Sequence, residues 1–184
     1  MRIILLSWLF FITFSTNFFG IPMILVSGQF LLLQIKNSLI FDSTKSVHLV
    51  RWNQSTDCCT WRNVDCDMAG RVIRLDLSEE SIYDIDNSTG LFALQHHGLR
   101  TLKLYDTNLS GTMPHSIGNL KSLSKLDLES CNFTGSLPTT IANLAQLEYV
   151  DVSFNNFTGP LSFSVAHLTQ LEYLDLSSNN FTGL

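Results

Sequence analysis

Aliphatic positions recur along this chain with a period of 24 residues. Leu99, Leu123, Leu147 and Leu171 each open the pattern L-x-x-[LV]-x-[LV]-x-x-[TCN]-x-[LF]-[ST]-G, with nothing inserted or lost between copies. Within one copy Leu126 and Leu128 stand two apart, so both face one side of an extended strand while Lys125, Asp127 and Glu129 face the other. One short strand per unit, stacked in parallel at roughly 4.8 Å, needs a return crossover of about a dozen residues. That arrangement is a solenoid. The predicted fold class is α/β: parallel β-strands on a concave face, preceded by a small helical, cysteine-bearing cap.

The return is predicted to begin at Gly111-x-Met113-Pro114 and Gly135-x-Leu137-Pro138, where glycine permits a bend and proline removes a donor. Ile117–Leu120, Ile141–Leu144 and Val165–Leu168 bring apolar groups back to the core. The third return reads Gly159-Pro160-Leu161-Ser162, so its local turn should differ. Asn155 and Asn179 follow the strand where a buried amide can bond the turning backbone of neighbouring repeats, and Thr107 and Cys131 hold the same place earlier. Cys131 is therefore read as a small buried hydrophobe, and a reactive thiol or ligand is set aside.

The amino-terminal end reads differently. Ile3 to Val26 carry no charge, Arg2 supplies a positive start, and Val26 and Gly28 bracket a cut before Gln29. Residues 1–28 are thus predicted to be a signal peptide. The rival is an uncleaved anchor, since the stretch is nearly long enough to span a bilayer, but Ser15, Thr16, Asn17, Gly20 and Pro22 interrupt it. Residues 29–70 form the predicted cap, with an amphipathic helix over Phe30–Phe41. Residues 71–184 are repeats, of which the first is irregular, running 27 residues from Leu75 to Leu102. Glu79, Glu80 and Asp84 lie inside it, without the glycine and spacing of a calcium loop. The sequence stops within a repeat, after Phe181-Thr182-Gly183, and lacks the polar closing cap that solenoids need. The expectation is an amino-terminal part of something longer, or a truncated product.

Charge narrows the partners. The net charge is −5, and losing Arg2 with the leader makes it −6 (−5 minus one). An acidic chain with no basic cluster is a poor partner for nucleic acid or anionic lipid. No nucleophile motif, metal-ligand spacing or histidine accompanies the strands, so the chain is read as a non-enzyme without cofactor or metal. Candidate contacts on the concave face are Tyr105, Lys125, Tyr149, Asp151, Tyr173 and Asp175. Exposed tyrosines offer area with a polar tip at small entropy cost, although strands favour tyrosine anyway. An aspartate column at 127, 151 and 175 sets like charges side by side, which points to backbone capping or solubility. Six N-x-[ST] sequons, at Asn53, Asn87, Asn108, Asn132, Asn156 and Asn180, are candidate glycosylation sites. The last four share the repeat period, so the turn alone is a sufficient reason for the motif.

Around the cap, Trp52-Asn53, Cys58-Cys59-x-Trp61 and Val64-x-Cys66-Asp67 lead into Gly70-Arg71-Val72-Ile73-x-Leu75-Asp76-Leu77-Ser78. Together with the 24-residue repeats bearing [ST]-G-x-[LM]-P, this resembles plant extracellular leucine-rich-repeat receptors, in particular receptor-like proteins without a kinase domain, over nearly all of residues 22–184. The resemblance implies a leucine-rich-repeat solenoid and the ligand-recognition ectodomain of a cell-surface protein. Its ligand would be a protein or peptide, in defence signalling through a receptor-kinase co-receptor. It also implies passage through the secretory pathway to the extracellular space or plasma membrane, with membrane contact only through a carboxy-terminal span beyond these residues. A secreted polygalacturonase-inhibitor-like protein and a non-functional remnant are the alternatives. Members carry a further cysteine ahead of the cap helix, where this chain has Ser27-Gly28-Gln29-Phe30. The resemblance then implies a Cys59–Cys66 disulfide and leaves Cys58 without its usual partner. A lost bridge commonly costs about 2–5 kcal/mol.

Overall fold

The computed structural model describes residues 28–85, 98–161 and 165–183. The predicted leader, apart from Gly28, and the sequon at Asn87 lie outside the described residues. Helix α1 spans Gly28–Ser38 and buries Leu32 and Ile35, three apart, on one face. It ends three residues before the predicted Phe41. Ser38 Oγ donates to the Ile35 carbonyl at 2.7 Å, and Leu39–Phe41 leave as strand β1. The cause is tertiary: β1 pairs antiparallel with β4 (Ile82–Ile85), and a Leu-Ile-Phe run suits a ladder better than a last helical turn.

The principal sheet starts with β2 (Val64–Cys66) antiparallel to β3 (Val72–Asp76). From β3 it continues in parallel through β5 (Thr101–Lys103), β7 (Lys125–Asp127), β9 (Tyr149–Asp151) and β11 (Tyr173–Asp175). Leu75, Leu102, Leu126 and Val150 align in one column and are at most 1% exposed. Leu174 continues the column with a strand on one side only and is 39% exposed. Burial here comes from the neighbouring coil, as stacking of apolar layers requires.

A second parallel sheet runs along the other side of each coil: β6 (Gly111–Thr112), β8 (Phe133–Gly135), β10 (Asn156–Pro160) and β12 (Asn180–Thr182). The pattern predicts a bend at the glycines and says nothing of a ladder beside it. The structure has both, because four consecutive copies bring the same few extended residues into hydrogen-bonding range. Gly135 has φ +73°, and a Cβ there would meet Thr112 Cγ2 at 2.9 Å. Only glycine fits both the turn and the approach. Short 3-10 turns at His115–Asn119, Thr139–Asn143 and Val165–His167 return the chain. The third is three residues rather than five and follows a strand that runs through Gly159 to Pro160, in line with the altered return motif. Phe133, Phe157 and Phe181 stack between coils with centroids 5.9 Å apart.

The turn after each concave strand uses a left-handed residue: Asp106, Ser130, Phe154 and Ser178 have φ between 52° and 59°. Phe154 is the odd member, bulky and 58% exposed. Left-handed backbone costs an L-residue about 1–2 kcal/mol, and asparagine recovers part of that by local hydrogen bonding. Phe154→Asn is therefore expected to raise the melting temperature, by a gain of up to about 1 kcal/mol. A lower melting temperature would mean the ring packs usefully where it stands.

Candidate functional site

Register builds the concave face as two columns. The first reads Arg74, Thr101, Lys125, Tyr149, Tyr173, and the second reads Asp76, Lys103, Asp127, Asp151, Asp175. In the first, Lys125 Nζ sits 3.6 Å from the centroid of the Tyr149 ring. Tyr149 in turn stacks on Tyr173 with centroids 4.3 Å apart and planes 5° from parallel. Cation and rings hold one another, so their conformations are set before any ligand arrives. Tyr173 is 43% exposed and Tyr149 half-buried. Burial, with the carboxylates of Asp127 and Asp151 next, pushes the Tyr149 phenol up; Tyr173 is raised the same way by Asp151 and Asp175. Both therefore remain hydroxyl donors at neutral pH. Tyr105, a row apart, donates to Glu79 Oε1 at 3.0 Å.

The aspartate column mostly turns inward. Asp151 is 5% exposed and accepts from the Ser153 amide at 3.0 Å and its hydroxyl at 2.6 Å. Asp76 and Asp175 accept from the amides of Ser78 and Ser177 in the same two-residue step. Each caps the end of its own strand. Hydrogen bonds from Ser177 hold the Asp175 carboxyl below its usual range. Asp127 differs: Glu129 replaces the serine, burial and the Asp151 charge push its carboxyl up, and Lys125 and Lys103 oppose them. A raised carboxyl means that folding disfavours the charged form, a cost present above the folded pKa and absent at acid pH. Asp127→Asn is thus expected to melt higher than the parent at pH 7. The gap should close as pH falls through the carboxylate range, near pH 4. A variant that melts lower at pH 7 would show the charge to be net stabilising.

Behind the face, Asn155 and Asn179 tie coils together. Asn155 Nδ2 donates to the carbonyls of Leu128 (2.7 Å), Val152 (3.0 Å) and Ser153 (3.0 Å), and its Oδ1 accepts from the Phe133 amide at 2.9 Å. Cys131 takes the same station, its Sγ donating to the Leu104 carbonyl at 3.0 Å. Burial pushes this thiol up to about 12, so it stays protonated and unreactive.

One residue further along each copy, the sequon asparagines stand exposed on the flank. Asn132 Nδ2 donates to Asn108 Oδ1, and Asn156 Nδ2 to Asn132 Oδ1, both at 3.0 Å. Asn180 is also exposed, and Asn53 lies in the cap with its Oδ1 accepting from the Ser55 amide. Cys59 and Cys66 form a disulfide across a seven-residue separation, and Cys58 is a free, buried thiol beside it. These three sulfurs are the one cluster of potential metal ligands among the described residues. With two of them in a disulfide it cannot act as a thiolate site.

Two residues that the sequence reading quoted without a structural role have one. Glu80 is 2% exposed and accepts from Ser46 Oγ and from the His48 amide. Trp52 stacks against Trp61 in the cap. The adjacent pairs Arg51-Trp52 and Trp61-Arg62 are the signal that marks the second. No helix among the described residues is long and apolar enough to cross a membrane.

Comparison with known proteins agrees with this geometry. Residues 30–67 match the leucine rich repeat N-terminal domain family, and residues 97–157 and 170–184 match leucine rich repeat families. Receptor-like protein 31 of Arabidopsis thaliana is 43% identical over 83 residues, covering 44% of this chain and 9% of its own. Receptor-like protein 50 of the same plant is 37% identical over 105 residues, covering 53% and 12%. The chain thus spans about a tenth of the length of these curated relatives. Among solved structures, the BIR3–SERK2 complex from Arabidopsis thaliana matches with a TM-score of 0.72 at 30% identity, over 83% of this chain and 82% of that one. With its cap, its in-register repeats and these relatives, the chain belongs to the plant leucine-rich-repeat proteins and is similar to the amino-terminal part of receptor-like proteins.

Proposed function

We propose that this chain is a ligand-recognising ectodomain segment of a plant cell-surface protein, taking a protein or peptide on its concave face and serving defence signalling. The observation that carries the reading is the Lys125–Tyr149–Tyr173 column, which presents stacked aromatic area, hydroxyl donors and one cation on a rigid sheet. Pre-arranged aromatics of this kind are where binding energy concentrates in protein interfaces. Tyr105 and Asp175 flank the column, and Asp151 shapes it from below. Similarity to a chain from the BIR3–SERK2 complex supports a protein partner, for which we assign a receptor-kinase co-receptor. No catalytic role is assigned. We divide the chain into a cleaved leader (1–28), a cap (29–70) and repeats (71–184), and place glycans at the sequons.

Panning a random-peptide display library on the secreted chain tests the face. Enriched clones are expected to compete with one another and to bind the Tyr149→Ala/Tyr173→Ala variant at least about tenfold more weakly. Clones indifferent to that variant would move the site elsewhere. Amino-terminal sequencing of the same material is expected to begin at Gln29, and its intact mass should fall on enzymatic deglycosylation. An unchanged mass would remove the glycans from this account.

A further inference from the structure

Charge on the concave face changes sign along the stack. Each repeat has two polar positions at fixed places in its frame, one residue before the first concave column and two residues after it. They read Arg100 and Lys103 in the row of β5, and Ser124 and Asp127 in that of β7. In the rows of β9 and β11 they read Glu148 with Asp151 and Glu172 with Asp175. Lys125 adds a third cation one strand step from Thr101. Arg100, Glu148 and Glu172 are exposed, and Lys103, Lys125 and Asp175 half-buried. Asp127 and Asp151 are buried. Arg74, one row before, is already engaged with Asp65 and Asp76 at 3.2 and 2.9 Å. By contrast Arg100, Lys103, Lys125, Glu148 and Glu172 make no ion pair among the described residues. Register keeps them apart, since Arg100 and Glu148 lie two strand steps from one another, about 10 Å. On the strand-end side Glu79, Asp106 and Glu129 are acidic in successive rows, so the positive ground is confined to the strand-start half of the face.

The separation of the two charged grounds sets the dimensions of a ligand. Thr101, among the cations, and Tyr173, among the acids, are three parallel steps apart, which is about 14 Å. An extended chain rises about 3.3 Å per residue, so four residues cover about 13 Å. Side chains four apart in such a chain project to the same face. We propose that the concave face binds an extended peptide laid across the strands, with an acidic and a basic residue four positions apart. The acidic residue sits among Arg100, Lys103 and Lys125, and the basic one among Glu148, Glu172 and Asp175. The residue midway packs along the edges of the Tyr149–Tyr173 stack, which Lys125 holds in place. Turning the peptide end for end would bring like charges together at both grounds, so the charge order fixes its direction. Glu79, Asp106 and Glu129 repel the acidic residue from the strand-end half and keep the peptide on its track. This inference rests on the concave-face reading and adds the chemistry and direction of the ligand to it.

A phage library that carries one glutamate and one arginine, separated by none to six random residues, is panned on the secreted chain. Clones with three residues between the charges are expected to be enriched at least about tenfold over clones in which the charges adjoin. Arg100→Glu/Lys103→Glu and Glu148→Lys/Glu172→Lys should each weaken the enriched clones at least about tenfold at an unchanged melting temperature, because each sets like charges together. Combining all four substitutions keeps the net charge and inverts the face, so part of the binding should return. A photo-crosslinker beside the peptide glutamate should then label the row of β11, where in the parent it labels that of β5. Clones that sense Tyr149→Ala/Tyr173→Ala but prefer no spacing, or that ignore both charge reversals, would overturn the proposal and leave the concave-face reading standing. Clones indifferent to the tyrosine pair would overturn both.

Discussion

Asn155→Ala is expected to destabilise the folded chain by about 3–5 kcal/mol, whereas Asn156→Ala, one residue further on, should cost under about 0.5 kcal/mol. The two side chains are identical and adjacent, yet the coil sends them to opposite fates. Asn155 is 6% exposed, and its amide serves carbonyls on its own strand turn and on the preceding repeat while its oxygen takes the Phe133 amide. Alanine leaves that amide buried and unpaired and strips three carbonyls of a donor. Asn156 is exposed, and its amide bonds another exposed amide, that of Asn132. Water replaces such a bond at little net cost. Thermal melts of both variants, on deglycosylated protein, give the comparison. Equal losses would mean that the asparagine column does not hold the coils together.

Glu80→Ala should loosen the cap from the first repeat, at about 2–4 kcal/mol. The Glu80 carboxylate is buried between them, taking the Ser46 hydroxyl and the His48 amide from a segment more than thirty residues upstream. Removing it orphans a hydroxyl and an amide at a junction that is also held by the β1–β4 ladder and by apolar packing of Leu49, Ile82 and their neighbours. Glu80→Gln keeps an acceptor for the amide and a donor for the hydroxyl, and should recover most of the loss. Amide hydrogen exchange locates the effect: residues 42–52 are expected to exchange faster while β7 and β9 keep their protection. A uniform rise across all strands would show one cooperative unit rather than a hinge at the cap.

The sequence made the solenoid legible because its logic is repetition. Leu126 and Val150 occupy equivalent places in identical frames, and stacking identical frames admits one register. The concave columns followed from the same alternation, since residues 125, 127, 149, 151, 173 and 175 must face away from the core. What alternation could not tell was how deep an outward side chain sits. Asp151 points outward yet is covered, because Ser153 draws its carboxylate back onto the strand end. The second sheet was hidden for a different reason. Two or three extended residues before a glycine carry no periodic signal, and pairing arises only when four such pieces are stacked. Helix α1 and strand β1 were read as one element because Leu32, Ile35 and Leu39 keep helical spacing, and the partner strand β4 lies more than forty residues away. Glu80 and the Trp52–Trp61 stack belong to the same class: their meaning depends on neighbours that no local window contains.

Distances along the first concave column test the whole construction. Arg74 and Tyr173 are separated by four parallel strand steps, which sets their backbones about 19 Å apart. Thr101 and Tyr173 are one step closer, by about 5 Å. Spin labels carried on unnatural amino acids at each pair, read by pulsed electron resonance, should report that one-step difference in mean separation. Equal separations for the two pairs, or a longer one for Thr101 and Tyr173, would contradict a coil that lays one strand per repeat beside the last.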